Sequence, residues 1–189
     1  MRYPKGIKRA TNKEITYANR GMDLESDLNQ SNEYYRMIDR AIIYKKPIPI
    51  QINKVDYPSR HDAKIVEAYY KIPSTTDYNG VYKGKYIDFE AKETKNTTSF
   101  PLSNIHMHQI KHLESIIKNG GIGFIIVSFV NLSKIFILRG EDLIDFIKTN
   151  TRKSIPINFF EEKGYLLKYK FQPRIDYLSG IDILYGSEF

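Results

Sequence analysis

The chain of 189 residues contains no cysteine. Disulfides, thiolate metal sites and a cysteine nucleophile are therefore excluded, and a hard metal with oxygen ligands is the natural metal chemistry left. No apolar run approaches the roughly 20 residues a membrane-spanning helix needs. The basic start of the chain has no apolar stretch behind it and does not read as a secretion signal. There is no internal repeat and no low-complexity linker. The length suits one domain with a real core and a small appendage. An apolar content of 41% argues against a wholly disordered chain. The expectation is a soluble, cytoplasmic, nucleoid-associated protein with no membrane partner.

What the sequence has in excess is positive charge. Lys and Arg number 29 against 22 Asp and Glu, for a net +7 and a pI near 9.3. That balance favours an anionic partner: nucleic acid, an acidic membrane surface or an acidic protein. Most of the excess is local. Arg2, Lys5, Lys8, Arg9, Lys13 and Arg20 face only Glu14 in residues 1–20. This segment lacks a hydrophobic period, and residues 1–18 read as a mobile basic arm. Residues 21–40 reverse sign, and 41–60 turn basic again through Lys45, Lys46, Lys54 and Arg60.

Helical spacing of Leu24, Leu28, Tyr35 and Ile38 predicts a first helix, with Asn19 as its cap. AIIYKKPIPI and QINKVDYP read as strands, the first an edge because of Pro47 and Pro49. Residues 61–74 read as a helical or irregular excursion. TTDYNGVY and KYIDFEAKE, joined by Lys83-Gly84, form a hairpin signal. A helix over about 105–119 stops at Asn119-Gly120-Gly121. IGFIIVSFV reads as a central strand and SKIFILRG as its neighbour. EDLIDFIKTN reads as a helix, GYLLKYKF as a strand, and a last helix starts near Asp176. Strands flanked by helices, in a sheet of mixed direction, make the fold α/β.

The chemistry concentrates in the hairpin. Side chains alternate along a strand, so Asp88, Glu90 and Lys92 share one face and Ile87, Phe89 and Ala91 the other. Thr75, Asp77 and Asn79 share a face of the partner strand, and pairing can bring Asp77 to Glu90. Two close carboxylates repel unless a cation lies between them. Mg²⁺ accepts such a site, completed by phosphate and water, and it stabilises phosphate charge and acidifies water. A lysine on that face can orient or deprotonate the water, or stabilise the negative transition state. The set suits phosphodiester hydrolysis, although a charged strand face is more often simply solvated.

Twelve residues separate Asp77 from Glu90-x-Lys92, the spacing style of the PD-(D/E)xK nucleases. NRGMDLE at 19–25, KKPIPIQI at 45–52, PSTTDYNGVYKGKYIDFEAKETKNTTSFPL at 73–102, HMHQIKH at 106–112 and QPRIDYL at 172–178 together resemble the RecU family of Holliday junction resolvases. The resemblance spans nearly the whole chain, and the arm and residues 141–165 match least. It implies a restriction-endonuclease-like fold: one nuclease domain over 19–189, a mixed central sheet flanked by helices, and a protruding stalk at about 61–74. It implies a Mg²⁺-dependent endonuclease, with Mn²⁺ a substitute, acting as a homodimer on four-way junction DNA during recombination and repair. By that resemblance Thr75, Asp77, Glu90 and Gln109 surround the metal and Lys92 serves the transition state. Glu25 is an acid approaching the site, and Arg20 and Arg60 handle DNA. A recombinase or a branch-migration helicase is a further partner of the kind implied.

Other residues keep two readings. Lys45 and Lys46 either protect a sheet edge or contact phosphates. Tyr69, Tyr70 and Ile72 either pack or stack on unpaired bases, with Tyr70 the leading DNA contact. His108 and His112 have the spacing of two zinc ligands, without a clear third beyond His106. Arg174 and Asp176 read as a structural ion pair. A sequence-specific restriction endonuclease and a non-catalytic junction-binding protein are the alternatives in function.

Overall fold

A computed structural model of the chain describes residues 23–59, 61–71 and 75–186. The basic arm, Asn19, Arg20, Arg60 and residues 72–74 lie outside them. In chain order the elements are α1 (Leu24–Met37), β1 (Ile42–Lys45), β2 (Ile50–Asp56), β3 (Lys64–Tyr70), β4 (Tyr78–Tyr82), β5 (Lys85–Thr94), β6 (Ser99–Pro101), α2 (Met107–Lys118), β7 (Ile122–Phe129), β8 (Lys134–Arg139), α3 (Gly140–Thr149), β9 (Ser154–Pro156), α4 (Ile157–Lys163), β10 (Tyr165–Leu167) and α5 (Tyr177–Tyr185).

The unbroken apolar run of β7 sits inside a six-stranded sheet of order β1-β4-β5-β7-β8-β10. β5 and β7 run parallel, and every other pair is antiparallel. All of β7 is buried because helices cover both faces. Its alternate residues feed two cores. Ile122, Phe124 and Ile126 join Leu24, Leu28 and Tyr35 of α1 and Tyr177, Leu178 and Ile181 of α5. Ile125, Val127 and Phe129 join Leu113 of α2, Leu143 of α3 and Phe160 of α4. This is the mixed sheet flanked by helices that the sequence implied. Among the described residues no helix is long and apolar enough to cross a membrane.

Phe89 of β5 is fully buried and stacked between Tyr78 and Phe124, with ring centroids 4.7 Å and 4.6 Å away. Phe89→Ala removes the middle of that stack, and we expect a loss of about 3–5 kcal/mol. Urea unfolding should show it as a lower midpoint with an unchanged slope.

Several elements differ from expectation. Asp23 caps α1, its carboxylate accepting from the Glu25 N–H at 3.1 Å. Residues 64–70 form β3, a strand instead of a helical or irregular excursion, because Ile65, Val66, Tyr69 and Tyr70 favour extended backbone and pair with β2. The hairpin β2–β3 is a separate two-stranded sheet whose every residue is exposed. Only Tyr165–Leu167 of the tail strand pairs in the main sheet. β6, β9 and α4 escape detection because such short elements carry too little periodicity. Arg174 and Asp176 are structural but not partners. Arg174 Nε meets Asp27 Oδ1 at 3.1 Å, while Asp176 takes Lys170 at 2.9 Å and Arg40 at 3.5 Å.

Candidate active site

Strand register builds the site. Tyr78 lies opposite Phe89 and Asn79 opposite Asp88, so one further step sets Asp77 opposite Glu90. The two-residue period sends Ile87 and Phe89 into the core under α1 and α5. Asp88 and Glu90 consequently point to the other face, beneath α2, and both are fully buried. Asp77 is half-buried at the end of the pair, and its Oδ2 accepts from the Ala91 N–H at a long 3.5 Å.

Glu90 is in an unusual position for a carboxylate. Lys92 Nζ stands 2.6 Å from its Oε1 as an ion pair, yet without the alignment of a hydrogen bond. Neither carboxylate oxygen has a hydrogen-bond partner among the described residues. Burial first, then the neighbouring Asp77 carboxyl, pushes Glu90 up to about 8, against the pull of Lys92. A buried carboxylate beside a second one, with Lys92 as its single cationic partner, calls for a proton or a further cation. Asp77 and Lys92 line a cavity of about 630 Å³ together with Lys46, Thr75, His108 and Gln109. Among the described residues no three His, Asp or Glu side chains converge as a complete ligand set. Two carboxylates with room for water and phosphate are the donor set that Mg²⁺ accepts.

The remaining residues singled out in the sequence take varied places. Thr75 lines the cavity, and its hydroxyl donates to the Thr76 carbonyl at 3.4 Å. Gln109 is buried, and its Oε1 accepts from the His106 N–H at 2.9 Å, capping α2. Glu25 at the start of α1 pairs with the Lys45 ammonium and shares a smaller cavity of about 170 Å³ with Asp77. Lys46 does not reach outwards. Its Nζ lies 2.8 Å from Asp88 Oδ2 and 3.0 Å from Thr76 Oγ1, with 17% of the side chain exposed. Tyr70 is 83% exposed at the end of β3. His108 and His112 diverge: His112 Nε2 is 3.2 Å from Asp88, whereas His108 stacks on His106.

Two features escaped the sequence reading. Asp88 is a buried hub, accepting from the Thr76 hydroxyl, from Lys46, and from the Tyr86 hydroxyl at 2.9 Å. His106 and His108 line the cavity, and His108 is held below the ordinary histidine value by burial, then by His106 and Lys92. The available signal for Asp88 was its two-residue offset from Glu90, which a solvated strand face would share.

A family model described as "RecU: Recombination protein U" matches residues 19–183. The Holliday junction resolvase RecU of Pediococcus pentosaceus is 54% identical, with 95% of each chain covered. The protein of the same name from Bacillus cytotoxicus is 50% identical, with 99% of each covered. Among solved structures, the Archaeoglobus fulgidus Hjc, a Holliday junction resolvase, gives a TM-score of 0.45 at 12% identity, covering 76% of this chain and 93% of that one.

Proposed function

The chain belongs to the RecU family, and from that membership we propose that it resolves Holliday junctions by metal-assisted hydrolysis at Asp77, Glu90 and Lys92. The observation that carries the catalytic part is the fully buried Glu90 carboxylate, facing Asp77 and paired with the Lys92 ammonium at 2.6 Å. Asp77 and Glu90 would hold Mg²⁺ or Mn²⁺, with Thr75 and Gln109 completing the surroundings. A cation held there supplies charge stabilisation to the scissile phosphate and makes a nearby water more acidic.

The protein groups then divide the work. Asp77 and the fully buried Glu90 would hold that cation, and through its charge the scissile phosphate. Lys92, already paired with Glu90 as an ammonium, stabilises negative charge developing on the phosphate oxygens. Glu25 sits at the edge, exchanging its Lys45 partner when DNA arrives. An exposed ion pair of this kind contributes about 0–1 kcal/mol, so a phosphate readily replaces Glu25 as the partner of Lys45. Tyr70, with its ring in solvent, stacks on a base opened at the crossover, and Arg20 and Arg60 add phosphate contacts. Lys46 is occupied by Asp88 and is not assigned to phosphate.

The active form is a homodimer that presents two such sites to opposed strands. The hairpin β2–β3 supports this reading. It exposes Ile50, Ile52, Val55, Ile65 and Val66, and an isolated two-stranded sheet is marginal in water. A second copy and the junction together would cover it.

The test compares a labelled four-way junction with a matched linear duplex, in Mg²⁺ and in EDTA. We expect symmetric nicks on the junction alone, lost in EDTA. Cutting of the linear duplex at one sequence would instead identify a restriction endonuclease. Tight junction binding without cleavage in either metal would identify a binding protein.

A further inference from the structure

Asp88 gathers bonds from segments far apart in the chain. Lys46 follows β1, Thr76 precedes β4, Tyr86 lies on β5 and His112 on α2. The first two have a special relation to the hairpin β2–β3. Lys46 lies between β1 and β2, before the hairpin, and Thr76 between β3 and β4, after it. The two feet are also tied directly. The Lys46 N–H donates to the Asp77 carbonyl at 2.7 Å, and the Lys71 N–H to the Pro49 carbonyl at 2.9 Å. One fully buried carboxylate therefore holds both feet of the hairpin, and the foot bearing Thr76 also carries Thr75 and Asp77.

We propose that Asp88 is a positioning residue, which through Thr76 and Lys46 locks the 75–77 loop so that the Asp77 carboxylate faces Glu90, and which ties the hairpin to that loop. The inference rests on the metal-site reading above. The physical basis is the completeness of the cluster. Asp88 is as buried as Glu90, but it has four partners that donate or pair with it where Glu90 has Lys92 and a second carboxyl, Asp77. A carboxylate satisfied in this way is rigid, and Lys46 compensates its charge inside the protein. The two buried acids of β5 thus have opposite tasks. Glu90 faces a second carboxylate with Lys92 as its one cationic partner, and Asp88 is closed around protein donors. Without the Thr76 hydroxyl, the loop loses its bond to Asp88 and keeps to β5 the long contact of Asp77 with Ala91 and the Asp77–Glu90 carboxyl contact.

The experiment uses the full chain with Thr76→Val, which keeps the shape and removes the hydroxyl, and Thr76→Ser, which restores it. Asp88→Asn is the third variant, and Asp77→Asn the reference for the metal site. Mn²⁺ binding to metal-free protein is measured by calorimetry, junction affinity in EDTA, and junction cleavage as separate kcat and KM. For Thr76→Val and Asp88→Asn we expect Mn²⁺ binding weaker by about 10–100-fold, the range for residues that orient metal ligands. kcat should fall by a similar factor with KM and EDTA affinity near the parent's, and Thr76→Ser should recover most of the loss. Parent-like Mn²⁺ binding and kcat in Thr76→Val would overturn the positioning role. Equal damage in Thr76→Ser and Thr76→Val would also overturn it, since packing and not the hydroxyl would then matter. If Asp77→Asn binds Mn²⁺ like the parent, the metal-site reading itself fails. If it loses Mn²⁺ while Thr76→Val does not, only the present inference fails.

Discussion

Asp77→Asn and Glu90→Gln should each cut junction cleavage by roughly 10³-fold or more, since the charge stabilisation of a bound metal is worth several kcal/mol and each ~1.4 kcal/mol is tenfold in rate. Junction affinity in EDTA should stay near the parent's, because on the proposed reading binding would draw on lysines, arginines and Tyr70 away from these carboxylates. The measurement is single-turnover nicking of labelled junction beside a binding titration. The Glu90 variant carries a second expectation that separates a working carboxylate from a merely structural one. Burial and the Asp77 carboxyl disfavour the Glu90 charge more than Lys92 favours it, so the neutral amide relieves an unfavourable charge. Metal-free Glu90→Gln should therefore be at least as stable as the parent at pH 8 while being inactive. Cleavage near the parent rate in either variant would remove these residues from the metal site.

The stability of the metal-free protein should fall as pH rises from about 4.5 to about 8, relative to Glu90→Gln. The sign follows from linkage. Glu90 is raised from 4.5 to about 8 in the fold, so between those values the folded state holds a proton that the unfolded chain has released. Its contribution is fully present below pH 4.5 and is gone once pH passes about 8. Divalent metal reverses the trend, because it replaces that proton. Mn²⁺ should raise the melting temperature more at pH 8.5 than at pH 6, and calorimetry should find proton release on binding at pH 6–7. Melting curves with and without metal across this range, for parent and Glu90→Gln, check both statements. A metal-induced shift that is the same at pH 6 and pH 8.5 would remove Glu90 from the ligands.

Much of the architecture was readable one residue at a time. The β7 run is apolar at every position, which only a strand covered on both faces tolerates, and it is buried throughout. The alternation in KYIDFEAKE separated Phe89 from Glu90 correctly, since a strand's period is a local property of the backbone. The 61–74 segment was less legible. Its β-branched and aromatic residues form a strand only because Ile50–Asp56 lies alongside, and pairing across an intervening loop is not a local signal.

The sequence by itself determined the composition of the site: an Asp, a Glu two residues from a Lys, and no cysteine to offer softer chemistry. It also determined the family, through words spread over nearly the whole chain. Only the tertiary structure decided which acids are open and which are closed. Asp88 and Glu90 look alike in the strand, and both are fully buried. Asp88 meets Lys46, Thr76, Tyr86 and His112, contributed by three other segments and its own strand, whereas Glu90 meets a second carboxyl, Asp77, and the Lys92 ammonium. The fate of a buried charge depends on the groups that surround it in space, and those arrive from parts of the chain that no local pattern connects.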